Sequence, residues 1–281
     1  MPKIAVHLHL YYLDQLEDLL SRLSNLAAIP YDFYVTMVED NAEAKKKILA
    51  FKADAKIWIV PNLGYDIGPF IDFLHHVDLN AYDYVLKLHT KRTQSDKSCF
   101  FKGHRFDMHV WREMLLDAII SKPAIENALA LFDSNDNVGM IGNKYILTDE
   151  IWSYDIVEAK IKTELAKIGL NMPQDKHFVA GTMFWVRAKL LKPFLIYKIE
   201  DFTTSDKQIH DETLAHVLER MFGFAVTAQG YQIKGVHYKS FYIAFLKAAF
   251  QRFLFQKKVT RKGYLIIKIC KIPVYYRKGT I

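Results

Sequence analysis

Residues 56–92 read KIWIVPNLGYDIGPFIDFLHHVDLNAYDYVLKLHTKR. Lys56–Val60 is a β-forming run stopped by Pro61, and Asn62–Gly68 is a loop with two glycines. Pro69 then suits the first turn of a helix reaching about Val77. Asp83–Leu88 is a strongly apolar strand, followed directly by His89-Thr90-Lys91-Arg92. The order strand, loop, helix, strand continues toward the N-terminus. Lys3–His9 reads as a buried first strand, Leu13–Leu26 has helical apolar spacing, Tyr31–Val38 is a strand and Ala42–Lys52 a charged helix. Such alternation predicts an α/β sheet with mostly parallel strands.

Downstream of this stretch, Asp107–Ile120, Pro123–Phe132, Ile151–Ile168 and Asp211–Phe222 read as helices. Val138–Gly142 reads as a strand, Phe178–Val186 as a strand interrupted by Gly181, and Ala225–Gln229 as a final strand. No repeat, low-complexity segment or linker precedes residue 238, so residues 1–237 are expected to form one domain.

The chain has 281 residues, 51% of them apolar and 25% charged, which excludes a disordered or collagen-like chain. Its net charge of +7 is unevenly placed. Residues 238–281 hold 11 Lys and Arg and no acidic residue, leaving 27 basic against 31 acidic residues in the body. A nucleic-acid binder would carry its basic face on the folded domain, so no nucleic-acid partner is expected. Two cysteines, no basic-then-apolar leader at the N-terminus and no 18-residue uncharged apolar run fit a cytoplasmic chain without a membrane span. The tail places Phe241, Phe245, Ala248, Ala249 and Arg252 at helical spacing, broadened by Leu246, Phe250, Phe253 and Leu254. It is read as a basic amphipathic segment lying on an anionic membrane surface, or else packing on the acidic body.

Ligands of open α/β sheets bind at the carboxyl ends of the strands, where four loops are candidates. The first strand ends at His9, and the Asn62–Gly68 loop leads into a helix N-terminus suited to a phosphate or sugar hydroxyl, or is simply a tight turn. His89, Thr90, Lys91 and Arg92 form a plausible diphosphate clamp, or a solvated basic loop. His210-Asp211-Glu212-Thr213 either caps a helix or supplies a general base. The fourth loop surrounds Gly181. Eleven histidines lack zinc-site spacing, and no nucleophile elbow or catalytic Cys–His signature is present.

Taken together, Asn62–Phe70, Tyr82–Arg92, Phe178–Trp185 with Arg187, and Thr213–Arg220 resemble the rhamnan synthesis F protein family of bacterial polysaccharide glycosyltransferases. The resemblance covers roughly residues 3–237 and implies a GT-A-like, Rossmann-related nucleotide-diphospho-sugar transferase fold. It further implies sugar transfer to a surface glycan. In the large inverting GT-A transferases a DxD motif holds a divalent metal; here that position reads His89-Thr90-Lys91. Metal-independent catalysis without a cofactor is therefore expected, with cations taking the metal's place. The family more often reads Asp-Gly-Thr where this chain has Asp211-Glu212-Thr213, and Asp211 keeps the family position.

The resulting expectation is a glycosyltransferase, hexosyl and by family name rhamnosyl, with an inverting in-line attack. Asp211, or Glu212 beside it, takes the acceptor proton. His9, Asn62, Gly64, Asp66, Gly68, His89, Thr90, Lys91 and Arg92 hold the nucleotide sugar. Gly181 and Thr182 border the acceptor, and Met183 and Trp185 pack beneath it. A lipid-linked glycan acceptor, other polysaccharide-assembly enzymes and a peripheral position on the cytoplasmic face of the inner membrane complete the expectation. The rival is a non-catalytic glycan- or nucleotide-binding accessory module.

Overall fold

A computed structural model describes residues 1–93, 98–101, 104–149, 154–204, 213–237, 246, 250, 253–259, 264–270 and 272–278. The elements in chain order are β1 (Ile4–Leu10), α1 (Leu16–Leu23), β2 (Tyr31–Met37), α2 (Ala42–Phe51), β3 (Lys56–Ile59), α3 (Ile67–His76) and β4 (Tyr84–His89). The next are β5 (Ser98–Phe101), β6 (His104–Asp107), α4 (Met108–Ile120), α5 (Lys122–Ser134), β7 (Val138–Asn143), β8 (Leu147–Thr148), α6 (Tyr154–Lys167) and β9 (Phe178–Val179). Last come β10 (Phe184–Arg187), α7 (Leu214–Ala228), β11 (Gln232–Val236), β12 (Phe255–Val259), β13 (Tyr264–Ile269) and β14 (Ile272–Lys278).

Seven strands form the central sheet in the order β11-β7-β10-β4-β1-β2-β3. β1 pairs in parallel with β2 and β4, β2 with β3, and β7 with β11; β10 runs antiparallel between β4 and β7. This is the α/β arrangement of mostly parallel strands that the alternation of strands and helices leads one to expect. The central parallel strands β1 and β4 are buried along their whole length because helices cover both faces of the sheet, and the polar residues they carry are buried with them. α3 and α7 lie on one face, where Phe70, Phe184, Phe194 and Phe222 form a ring cluster with centroids 4.8–6.2 Å apart. On the other face Trp185 Nε1 donates to the Ile119 carbonyl of α4 at 2.8 Å.

Two boundaries differ from the sequence reading, and the interruption expected at Gly181 is found. β4 extends to His89, so that histidine is a strand residue rather than the start of a loop. The run Phe178–Val186 is broken into β9 and β10 by Gly181 (φ 77°) and Thr182 (φ 53°), a left-handed pair that no strand accommodates. The expected strand over Ala225–Gln229 is helical: α7 continues to Ala228 and the strand is Gln232–Val236. Phe222, Phe224, Ala225 and Val226 are all buried, so the helix is apolar on more than one side and its period is hidden.

The tail also departs from a single amphipathic helix. Leu246, Phe250, Phe253 and Leu254 are helical and exposed, but β12, β13 and β14 form an antiparallel three-stranded sheet. Phe241, Phe245, Ala248, Ala249 and Arg252 lie outside the described residues.

Candidate active site

At the carboxyl ends of the strands, β1, β4 and β2 present side chains to the layer beneath α3. The register sets His7 beside Lys87 and His9 beside His89, with Thr36 next to His9 on β2. Alternation along a strand puts these residues on one face. Lys87, fully buried, is the hub of this layer. Its Nζ donates to Asp66 Oδ2 at 2.6 Å, and to the Thr182 carbonyl and Oγ1 at 3.0 Å each. It also stands 5.2 Å above the Phe70 ring. Thr182 Oγ1 donates to Asp66 Oδ2 at 2.5 Å. One carboxylate oxygen thus ties the loop after β3 to β4 and to the left-handed turn before β10.

Three imidazoles complete the layer. His7 Nε2 and His9 Nδ1 each lie 3.0 Å from Thr36 Oγ1, and His7 stacks on Phe73 at 4.6 Å. His89 Nδ1 is 3.4 Å from Asp66 Oδ2. Burial, reinforced by Lys87, pushes the His7 pKa well below its ordinary value. Burial likewise pushes His9 down to about 4 and His89 well below its usual range, against the pull of Asp66. Burial opposes the ionised form of Asp66, yet His89 when protonated, together with the charges of Lys87 and Lys91, holds its carboxyl below the usual carboxylate range. With the imidazoles neutral near pH 7, Lys87 carries the positive charge that answers Asp66. Burial in turn lowers the Lys87 ammonium, while Asp66 supports it.

Above this layer a cavity of about 280 Å³ opens between four segments. Tyr65, Asp66 and Ile67 come from the loop after β3, Lys91 from the loop after β4, Gly181 and Thr182 from the turn before β10, and Ala215, His216 and Glu219 from α7. Gly64 (φ 67°) and Tyr65 (φ 57°) form a second left-handed pair. Tyr65 and Thr182, each a non-glycine residue with positive φ, both line this cavity. Gly181 N–H donates to Glu219 Oε1 at 2.8 Å, and Tyr65 meets the His216 ring edge-on at 5.6 Å. A larger cavity of about 850 Å³, lined by Met1, Tyr31, Asp32 and Tyr82 among others, lies at the amino ends of the strands. That is the wrong edge for an α/β ligand site.

The expected site residues separate into distinct groups. Asp66, Lys91, Gly181 and Thr182 line the cavity. His9 and His89 lie buried in the polar layer and do not line it. Several amide groups of the Asn62–Gly68 loop, both glycines' among them, are already used: Gly64 N–H donates to the Thr203 carbonyl, and Ile67 and Gly68 N–H to the Gly64 carbonyl. Gly68 is a close-approach glycine instead, since a Cβ there would collide with the Leu63 carbonyl. Asn62 is exposed and Arg92 exposed with its Nε 3.1 Å from Tyr12 Oη; neither lines the cavity. Thr90 Oγ1 accepts the N–H groups of Tyr11 and Tyr12 at 2.9 Å, fastening the loop rather than facing a ligand. Met183 and Trp185 are core residues without exposure. Asp211 and Glu212 lie outside the described residues.

Sequence reading missed Lys87, Glu219 and Gln15. A lone lysine inside Val85-Leu86-Lys87-Leu88, in a strand covered on both faces, was a readable signal, because a buried cation needs a built partner. Glu219 shares a helix face with Ala215 and His216, opposite the apolar residues, which was a weaker signal. Gln15 left none.

Among known proteins, the family described as rhamnan synthesis protein F matches residues 1–231. The uncharacterized protein WxcX of Xanthomonas campestris pv. campestris (strain B100) is 27% identical over 238 residues, 84% of this chain and 33% of that protein. The chain thus spans about a third of the length of the curated relatives it matches. Among solved structures, S. aureus TarS 1–349 in complex with UDP is 14% identical, covers 89% of this chain and 65% of that one, and has a TM-score of 0.43. Glucosyl-3-phosphoglycerate synthase from Mycobacterium tuberculosis is 9% identical over 98% of this chain and 90% of that one, with a TM-score of 0.35. With its model matched along most of the chain, the family is settled: this protein belongs to the rhamnan synthesis protein F family.

Proposed function

We propose that the chain is a glycosyltransferase that moves a sugar from a nucleotide-diphospho-sugar to a hydroxyl of a growing bacterial surface polysaccharide. One observation carries the reading. At the carboxyl edge of the sheet, Lys91 lines the cavity with an ammonium that has no hydrogen-bond or ion-pair partner among the described residues. Asp66, a carboxylate of the same cavity, is hydrogen-bonded to Lys87 and feels the Lys91 charge only through space. A cation held by no direct contact in a walled cavity suits the charge that develops on a departing diphosphate.

Asp211 removes the acceptor proton as the hydroxyl attacks the anomeric carbon, and in-line attack inverts its configuration. Glu212 is the alternative base. Transfer is metal-independent: support comes from β4, whose end carries Lys87, His89 and Lys91 where a carboxylate motif would bind a cation. The acceptor is lipid-linked, and the basic tail holds the enzyme on the anionic cytoplasmic leaflet. No helix of the described residues is long and apolar enough to cross a membrane.

The test is to incubate the purified protein with a panel of nucleotide sugars and an acceptor glycan, with and without EDTA. Sugar transfer or slow release of nucleoside diphosphate, unchanged by EDTA, is expected. Binding without any turnover would make the chain an accessory module, and activity lost to EDTA and restored by Mn²⁺ would end the metal-independent mechanism.

A further inference from the structure

Gln15 lies in a 3-10 turn, Leu13–Gln15, just after β1, and is 6% exposed. Its amide grips the backbone of Lys91, 76 residues away in sequence, from both sides. Nε2 donates to the Lys91 carbonyl at 2.6 Å, and Oε1 accepts the Lys91 N–H at 3.1 Å. The same Oε1 accepts Nε of Arg112 on α4 at 3.0 Å. With two donors facing the oxygen and a carbonyl facing the nitrogen, the amide has a single consistent orientation. Arg112 is itself buried and held by Asp18 and Glu113, and Arg22 bridges those two carboxylates. Thr90, next to Lys91, is pinned to the Tyr11 and Tyr12 amides.

Burying a charged arginine and a glutamine costs free energy unless every polar atom is answered, so such a network is kept where geometry matters. Its last member is the backbone of Lys91, whose side chain lines the cavity and makes no hydrogen bond or close ion pair among the described residues. The geometry points to Gln15 as a positioning residue that sets Lys91 for a nucleoside diphosphate, with Arg112 as the strut behind it. This rests on Lys91 being the diphosphate cation. Fixing that main chain in advance avoids an ordering cost when the ligand arrives.

Binding of uridine, thymidine, guanosine and cytidine diphosphates, and of the four nucleosides, tests it in wild type, Gln15→Ala, Lys91→Ala and the double variant. Removing or displacing a charge-assisted hydrogen bond lowers affinity about tenfold or more. Each single variant should weaken the diphosphates about tenfold and leave the nucleosides unchanged. Because the two residues act as a unit, the double variant should bind no more weakly than Lys91→Ala alone. Gln15→Glu keeps the volume and gains an ion pair with Arg112, but sets a carboxylate against the Lys91 carbonyl; it should show the same selective loss, and it serves if Gln15→Ala does not fold. Additive losses in the double variant, equal losses for nucleosides, or full affinity in Gln15→Glu would overturn the role of Gln15. A Lys91→Ala protein that binds every diphosphate normally would instead remove the reading of the cavity, and the clamp with it.

Discussion

Lys87 and Lys91 stand one at the end of β4 and one in the loop after it, and the molecule treats them in opposite ways. Lys87 is sealed beneath α3 with a carboxylate and a threonine meeting its ammonium. Lys91 has its backbone fastened by Gln15, while its side chain lines the cavity with no hydrogen bond or close ion pair among the described residues. A buried charge whose partners are all internal serves the scaffold, and a held charge without a direct contact is available to a ligand. The two share Asp66, which lines the cavity and closes the buried network at once.

Substitution at the two lysines should separate these roles most widely. Lys87→Met leaves Asp66 buried without its cation, and breaking such a pair costs about 3–5 kcal/mol. Denaturant unfolding of Lys87→Met should show that loss, whereas Lys91→Ala should stay within about 0.5 kcal/mol of wild type. Equal effects would erase the distinction. In the other direction, Lys91→Ala should lose about tenfold in nucleoside diphosphate affinity, read by calorimetry, with the nucleoside unaffected.

The imidazoles around Lys87 give the contrast a pH signature. His9 is held down to about 4 in the fold, against about 6.5 for an unfolded histidine. Between those values the unfolded chain binds a proton that the folded chain does not, so stability falls as pH drops from about 6.5 to 4 and is full above that window. The slope is about 1.4 kcal/mol per pH unit for one such histidine. His7 and His89 shift in the same direction and steepen it. Asp66, lowered in the fold, adds its own loss only below the unfolded carboxylate range near pH 3.9. His9→Gln should flatten the stability curve between pH 6.5 and 4; an unchanged slope would mean that the polar layer does not exclude protons as described.

The smallest effect concerns charge on a larger scale, the 11 cations of residues 238–281. Each Lys or Arg near an anionic bilayer is worth about 1 kcal/mol. Lys257→Gln and Lys258→Gln should each weaken binding to phosphatidylserine vesicles by about fivefold at low salt, with catalysis on a soluble acceptor unchanged. Vesicle binding that ignores both substitutions would assign the tail to the fold instead.

Much of this architecture was legible in residues 56–92. Pro61, the two glycines of the loop and the apolar run into β4 placed a strand, a turn, a helix and a parallel partner within one or two residues of where they lie. Local signals fail where burial is not local. α7 looked like a helix followed by a strand because packing on several sides erased its period. The tail sheet was invisible behind an amphipathic helical spacing. At the site, position along the chain identified Asp66, Lys91, Gly181 and Thr182, but not which polar groups were already satisfied. The glycine amides looked free in sequence, and they are used by the Thr203 and Gly64 carbonyls. Gln15, 76 residues from Lys91, meets it only because β1 and β4 are neighbours in the sheet.

Whether the cavity beside Lys91 performs transfer is decided by kinetics at the acidic pair. Initial rates of nucleoside diphosphate release from the preferred nucleotide sugar, with acceptor present, should be compared between wild type and Asp211→Asn. Loss of a general base lowers turnover by about 10²–10⁴-fold. The predicted result is a fall of that size, with diphosphate affinity and thermal midpoint unchanged. Near-normal turnover in both Asp211→Asn and Glu212→Gln, or no turnover in wild type with any donor that binds, would contradict it.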